Sequence, residues 1–169
     1  METSELLTDT FGRIRELYAD IAGDLSPEAA HHRPEETGNS IAWLLWHTAR
    51  VQDDHIAGLS GKRQAWHDGW AEGFGLPFDV DDIGYGHTSK QVDEVRVDDL
   101  GTLVDYHEAV HQLTLEYVGR VDAEELDRVI DRRWDPPVTA GVRLVSLTGD
   151  CLQHLGQAAY VKGLLDATG

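Results

Sequence analysis

A chain of 169 residues with a formal charge of −17 and a single cysteine excludes several classes of protein at once. Fourteen Lys and Arg against 31 Asp and Glu leave no basic footprint for phosphate backbones or anionic lipid surfaces, so neither nucleic acid nor a membrane is expected as a partner. Hydrophobic residues make up 41% and charged residues 27%, ordinary for one soluble globular domain over 1–169, and no apolar run approaches the roughly 20 residues that span a bilayer.

The N-terminal stretch METSELLTDTFGRIRELY is acidic and amphipathic, without the basic start and apolar core of a secretory signal. Leu6, Leu7, Phe11, Ile14, Leu17, Tyr18 and Ile21 recur at helical spacing and predict a long helix over 3–23. Ser26 and Pro27 read as the N-cap and first residue of a short helical turn that ends before Pro34; the pair His31 and His32 beside it reads as surface. TGNSIAWLLWHTARVQDDHIAGLSG predicts a second long helix, capped by Asn39 or Ser40 and ended by Gly61.

Residues 61–97 lose this periodicity. They are rich in glycine and carry Trp66, Trp70, Phe74, Phe78 and Tyr85, a content that argues against disorder and for an ordered crossover packed on the body. VDDLGTLVDYHEAVHQLTLEYVGRV is a third long helix; DAEELDRVIDRRWDPPVTAG is a short helix and a turn at Pro136-Pro137; Gly141 to Leu165 is the fourth long helix. Strand-like alternation is confined to VDEVRV, 92–97. The expected architecture is all-α, a four-helix bundle with a long crossover between its second and third helices.

Bundles build sites from polar side chains that project inward from facing helices. The second helix offers His47, set among Trp43, Leu44, Trp46 and Val51. In DCLQHLGQAAY the fourth helix offers Asp150, His154 and Gln157 at i, i+4 and i+7, one face of the helix. One carboxylate and two imidazoles suit a catalytic zinc, with three protein ligands and a fourth position open to water or a thiolate. Nickel, manganese or iron accept the same donors. From spacing alone a second reading stands, in which these are core histidines bonded to their neighbours. His107 and His111, also i and i+4, form a rival pair on a stretch that reads as half exposed.

NSIAWLLWHTARVQDDHIAGLSG, 39–61, together with LTGDCLQHLGQAAYVKGLL, 147–165, resembles the DinB-like superfamily of metal-binding four-helix proteins. The resemblance is closer to the actinobacterial branch that includes mycothiol-dependent enzymes. It implies one metal ligand on the second helix, matched by His47, and two on the fourth at i and i+4, matched by Asp150 and His154. Where this chain has Asp150, many relatives carry His, or Glu in the mycothiol-dependent maleylpyruvate isomerases. It further implies a homodimer and a thiol S-transferase or isomerase that uses a low-molecular-weight thiol such as mycothiol against an electrophile.

Other residues have roles in that frame. Arg50, one turn after His47, is a candidate to hold a carboxylate or sugar hydroxyl of the thiol, or else pairs with Asp53 or Asp54. Gln157 is a candidate partner of His154 or of substrate. Tyr85 and His87, in the glycine-flanked GYGHTSKQ, are candidates for the pocket mouth, against the alternative of a plain turn. Trp43 and Trp46 read as core or dimer packing, and five tryptophans suggest an apolar interface. Cys151 is not expected to be a nucleophile, because the Asp150 charge beside it raises its pKa; its being the single cysteine suits a reducing cytoplasm. The expected activity is therefore a metal-dependent mycothiol S-transferase in detoxification or thiol metabolism. A metal-dependent hydrolase or isomerase that activates water, and a non-catalytic metal-binding protein linked to stress, are the alternatives.

Overall fold

Ser40 stands ahead of a long apolar run, and its hydroxyl accepts from the Trp43 amide at 3.2 Å, starting a helix over Ile41–Ser60 that Gly61 ends in the left-handed region at φ 70°. The computed structural model, which describes residues 1–168, places this helix, α3, at the centre of a bundle; the final residue of the expected 1–169 domain, Gly169, lies outside the described residues. The order is α1 Thr3–Ala22, α2 Pro27–His31, α3, α4 Trp70–Phe74, α5 Ser89–Glu94, α6 Gly101–Val118, α7 Ala123–Asp127, a two-stranded antiparallel hairpin of β1 Val129–Asp131 and β2 Val138–Thr139, and α8 Ala140–Thr168. The four long helices α1, α3, α6 and α8 form the bundle, as the periodicity predicts. No described helix is long and apolar enough to cross a membrane.

Helix directions follow from the side chains that meet. Arg15 of α1 pairs with Glu108 of α6, while Tyr18, three residues on, reaches back to the Leu103 carbonyl, so these two helices are antiparallel. Asp53 of α3 meets Tyr106, and further along Lys62 meets Glu116, so α3 and α6 are parallel. Two parallel neighbours need a connection that travels the length of the bundle, and residues 61–100 supply it. That crossover is packed: Trp66, Val92, Val95 and Val97 are buried in the same hydrophobic cluster as Phe11, Ile14, Leu45, Leu103 and Leu144.

A polar seam ties three helices together inside this core. The Tyr18 hydroxyl lies between the carbonyls of Leu45 and Leu103, at 3.1 and 3.3 Å. Its ring stacks on His107 at 4.0 Å, and His107 Nε2 donates to Gln52 Oε1 at 3.2 Å. Gln52 in turn donates to Thr114 at 2.8 Å. Buried polar groups are tolerated when each finds a partner, as these do.

The structure corrects several expectations. His107 and His111 are buried, not half exposed, because α6 turns that face onto α1. His31 is half-buried and its Nε2 accepts from the Val97 amide at 3.0 Å, which anchors the end of the crossover. VDEVRV forms the end of α5 and an irregular exit, since the capping pair Thr88 and Gln91 starts a helix there. The segment around Pro136-Pro137 is the hairpin loop between β1 and β2, a strand pair too short for its alternation to be read. Of the five tryptophans, Trp43, Trp46 and Trp66 belong to the core, which removes them from any interface.

Burial holds the His107 pKa down to about 3, well below the 6.5 of a free imidazole, with the neighbouring His111 adding to it. Between those values the unfolded chain binds a proton that the folded chain refuses. Stability from this group is therefore complete above about pH 6.5 and falls as pH drops, by up to about 1.4 kcal/mol per pH unit, until about pH 3. Urea unfolding between about pH 7 and 4 should show this slope, and His107→Gln should flatten it.

Candidate metal centre

His47 enters the site from the middle of α3, where every residue from Ser40 to Asp53 is buried. A neutral imidazole in such a place must find partners for both nitrogens. Its Nδ1 donates to the Ile83 carbonyl at 2.5 Å, which leaves the Nε2 lone pair free. Trp43 stacks on the ring at 4.6 Å and fixes its plane. Burial lowers the His47 pKa, so it is neutral and ready to ligate.

The carbonyl that orients His47 is delivered by a glycine. Gly84 sits at φ 89°, and a Cβ there would come within 2.8 Å of His47 Nδ1 and 2.9 Å of the Trp46 ring. Only a residue without a side chain lets the crossover lie this close to α3.

From α8 come Asp150 and His154, one turn apart. His154 Nε2 is 3.5 Å from Asp150 Oδ1, and its Nδ1 donates to Gln157 Oε1 at 3.2 Å. The hydrogen bond to Asp150 raises the His154 pKa, and the same bond lowers that of Asp150. The imidazoles of His47 and His154 face each other edge-on at 4.7 Å. Donor atoms of His47, Asp150 and His154 all lie within 4.8 Å of one another, and Asp150 Oδ2 is buried with no hydrogen-bond partner.

That orphaned carboxylate oxygen is the test of fit. A buried anionic oxygen without a donor costs a few kcal/mol, and a cation shared with two imidazole nitrogens would remove the cost. Two imidazole nitrogens and one carboxylate are the donor set that zinc and its neighbours accept, and the outer nitrogens are held by a carbonyl and an amide as ligating histidines require. The residues therefore fit a divalent cation.

The remaining candidates are placed differently. Gln157 touches His154, the first of its two expected roles. Arg50 is fully buried and does not reach the site: it donates to Gln64 Oε1 at 2.8 Å, lies 3.8 Å from Asp53, and stacks over Trp66. Its contacts are thus with the crossover, Asp53 and Tyr106 rather than with the three donors. His87 is not at a pocket mouth but behind His47, its Nδ1 accepting from the Trp43 indole at 3.1 Å and its Nε2 facing Asp82 at 3.1 Å. Tyr85 is 91% exposed, turned to solvent between the positive-φ Gly84 and Gly86. The glycines of GYGH do mark a close backbone approach, but its beneficiary is His47. Sequence reasoning missed Ile83 and Trp43 as supports, since a carbonyl carries no sequence signature and Trp43 reads as core.

Fold and site together define a class: a bundle with an inward His-Asp-His donor set on two facing helices. The chain belongs to the DinB superfamily, which matches residues 10–158 and so includes all three donors. A solved structure, described as the conserved protein of a locus from Enterococcus faecalis, is similar at 34% identity, with a TM-score of 0.90 and 99% of each chain covered. A comparison with curated proteins matches none of them.

Asp150→Asn should lower divalent-metal affinity by more than about 100-fold, because shape is kept and the charge is lost, while Asp150→Glu should retain most of it. Gly84→Ala should cost about 10–100-fold by displacing the Ile83 carbonyl. Metal content by elemental analysis and helicity by circular dichroism check both, with the fold expected to survive.

Proposed function

We propose that the protein is a divalent-metal-dependent transferase that uses a low-molecular-weight thiol, of the mycothiol kind, against electrophiles in the cytoplasm. The observation that carries this reading is the convergence of His47, Asp150 and His154 with Asp150 Oδ2 unpartnered. A bound divalent cation, zinc in the first instance, would supply Lewis acidity and lower the pKa of a thiol placed at its open position. Three protein donors leave room for that thiol, where four would make the site structural.

The chain's own residues supply the rest. His47 and His154 are held at fixed orientation by Ile83 and Gln157, so little reorganisation accompanies binding. Trp43 packs against both imidazoles and keeps water from that side. The thiol sulfur would form the bond to the electrophilic carbon, the leaving group would depart with the bonding pair, and the thiol proton would pass to solvent. No protein thiol competes, since Cys151 is buried and burial pushes its pKa far up.

We also propose a homodimer through the outer face of α8. Val142, Val145, Gly149, Leu152, Gly156, Ala159 and Gly163 follow one another in alternating steps of three and four, and all are exposed. None of the exposed residues of α8 from Val142 to Leu164 is charged, in a chain of −17 that repels a second copy elsewhere.

His154→Ala should abolish metal binding and thiol-dependent turnover together, measured with mycothiol and a panel of electrophiles. Turnover that persists without thiol would instead favour metal-activated water. Light scattering at micromolar concentration should give twice the chain mass, and Leu152→Glu should give the single chain; a monomeric wild type overturns the dimer.

A further inference from the structure

The crossover is pinned against one stripe of α3. Trp43, His47 and Arg50 fall at i, i+4 and i+7, so they share a face of that helix. Each sends an N–H donor to the segment 82–87. Arg50 Nε donates to the Asp82 carbonyl at 3.3 Å, His47 Nδ1 to the Ile83 carbonyl at 2.5 Å, and the Trp43 indole to His87 Nδ1 at 3.1 Å.

The Asp82 carboxylate holds that segment in shape. Its Oδ1 accepts from the Gly84 amide at 2.7 Å, closing a turn around Ile83, and both its oxygens lie 3.1 Å from His87 Nε2. The tautomer of His87 follows from its other partner. An indole nitrogen only donates, so Nδ1 accepts, and Nε2 carries the proton that is given to Asp82. The His87 side chain is buried, stacked on Trp46 and packed against Phe78, so its two nitrogens depend on these partners.

Two routes therefore run from Asp82 to the candidate ligands. The first passes through Gly84 to the Ile83 carbonyl, which decides the tautomer of His47. With the proton held on Nδ1, the Nε2 lone pair is available to a cation; without that acceptor the proton is free to sit on Nε2, where it blocks ligation. The second passes through His87 to Trp43, whose ring lies on His47 at 4.6 Å and meets His154 edge-on at 6.2 Å. One carboxylate thus bears on both imidazoles from outside the donor set.

We propose that Asp82 is a positioning residue for the cation site. It acts through Ile83 to keep His47 in its ligating tautomer, and through the His87–Trp43 pair to fix the ring planes of His47 and His154. The inference rests on reading His47, Asp150 and His154 as a cation site, and not on the thiol.

Two measurements on the full chain test it without turnover. One is the tautomer of His47 in zinc-free protein, read from the nitrogen chemical shifts of its imidazole. The other is the affinity for zinc, by calorimetry. The wild type should hold the Nδ1–H form. Asp82→Ala should lose that single form and bind zinc about 10–100-fold more weakly, with helicity unchanged. Asp82→Asn keeps one acceptor for the Gly84 amide, and should recover most of the Nδ1–H form and part of the affinity. His87→Phe keeps a ring against Trp46 and Phe78 and cuts only the second route. It should leave the His47 tautomer as in the wild type and weaken zinc binding by about 10-fold. That loss should largely vanish in the Asp82→Ala background, because the two residues act in series. Wild-type tautomer and zinc affinity in Asp82→Ala overturn the role of Asp82 alone, as does a loss of affinity that comes only with a loss of helicity. If the wild type binds no zinc, the cation site itself is wrong and this inference falls with it.

Discussion

The burial of α3 is the constraint on which the rest of the molecule depends. An unbroken stretch from Ser40 to Asp53 is sealed from solvent, although it contains His47, Thr48, Arg50, Gln52 and Asp53. A helix buried all round would ordinarily be apolar all round. Here Thr48 bonds back to the Leu44 carbonyl of its own helix at 2.7 Å, and the other four find partners on the segments packed around α3. Gln52 is met by α6, through Thr114 and His107. Arg50 and Asp53 are met by the crossover and by Tyr106. His47 is met by Ile83 on one side and α8 on the other. Removing any of these layers would strand a polar group at a cost of about 1–3 kcal/mol, so the bundle and its long connection are mutually required.

This view gives the crossover a purpose beyond linking two parallel helices. Three long helices cannot cover α3 on every side, and the crossover covers the remaining one with Trp66, Phe74 and Phe78. The Asp53 carboxylate takes the Ala65 and Trp66 amides at 2.9 and 2.8 Å, pinning the start of the crossover to α3. From that anchor the chain returns over Trp46 to lay Gly84 against His47. The metal ligand is oriented by a segment whose path is set by a carboxylate almost two turns away on the same helix.

The fourth long helix carries three chemistries on separate faces. Leu144, Leu147, Cys151, Leu155 and Ala158 enter the core. Asp150 and His154 face His47 of α3. The outer face is uncharged and small. A helical period of 3.6 allows all three in one segment, and glycines at 149, 156 and 163 lower intrinsic helix propensity without breaking it because packing on α3 and α1 compensates.

Much of this was determined by the sequence alone. The long helices, their caps at Ser26 and Ser40, the stop at Gly61 and the three candidate ligands are local properties, since periodicity, capping and i, i+4 spacing act within one element. Asp150 and His154 share a face whatever the helix packs against. What only the tertiary structure decided is where the long-range partners fall. Arg50 reads as a ligand-binding residue one turn from His47, yet the crossover claims it, because Gln64, the Asp82 carbonyl and Tyr106 accept from it and Asp53 lies 3.8 Å away. Tyr85 and His87 sit two residues apart, yet one faces water and the other backs His47, because positive-φ turns at Gly84 and Gly86 redirect the chain. The hairpin at 129–139 and the buried stack of His107 on Tyr18 depend on pairings that only the folded bundle creates. Local spacing specifies which side chains share a helix face, whereas packing between elements distant in sequence specifies what that face meets.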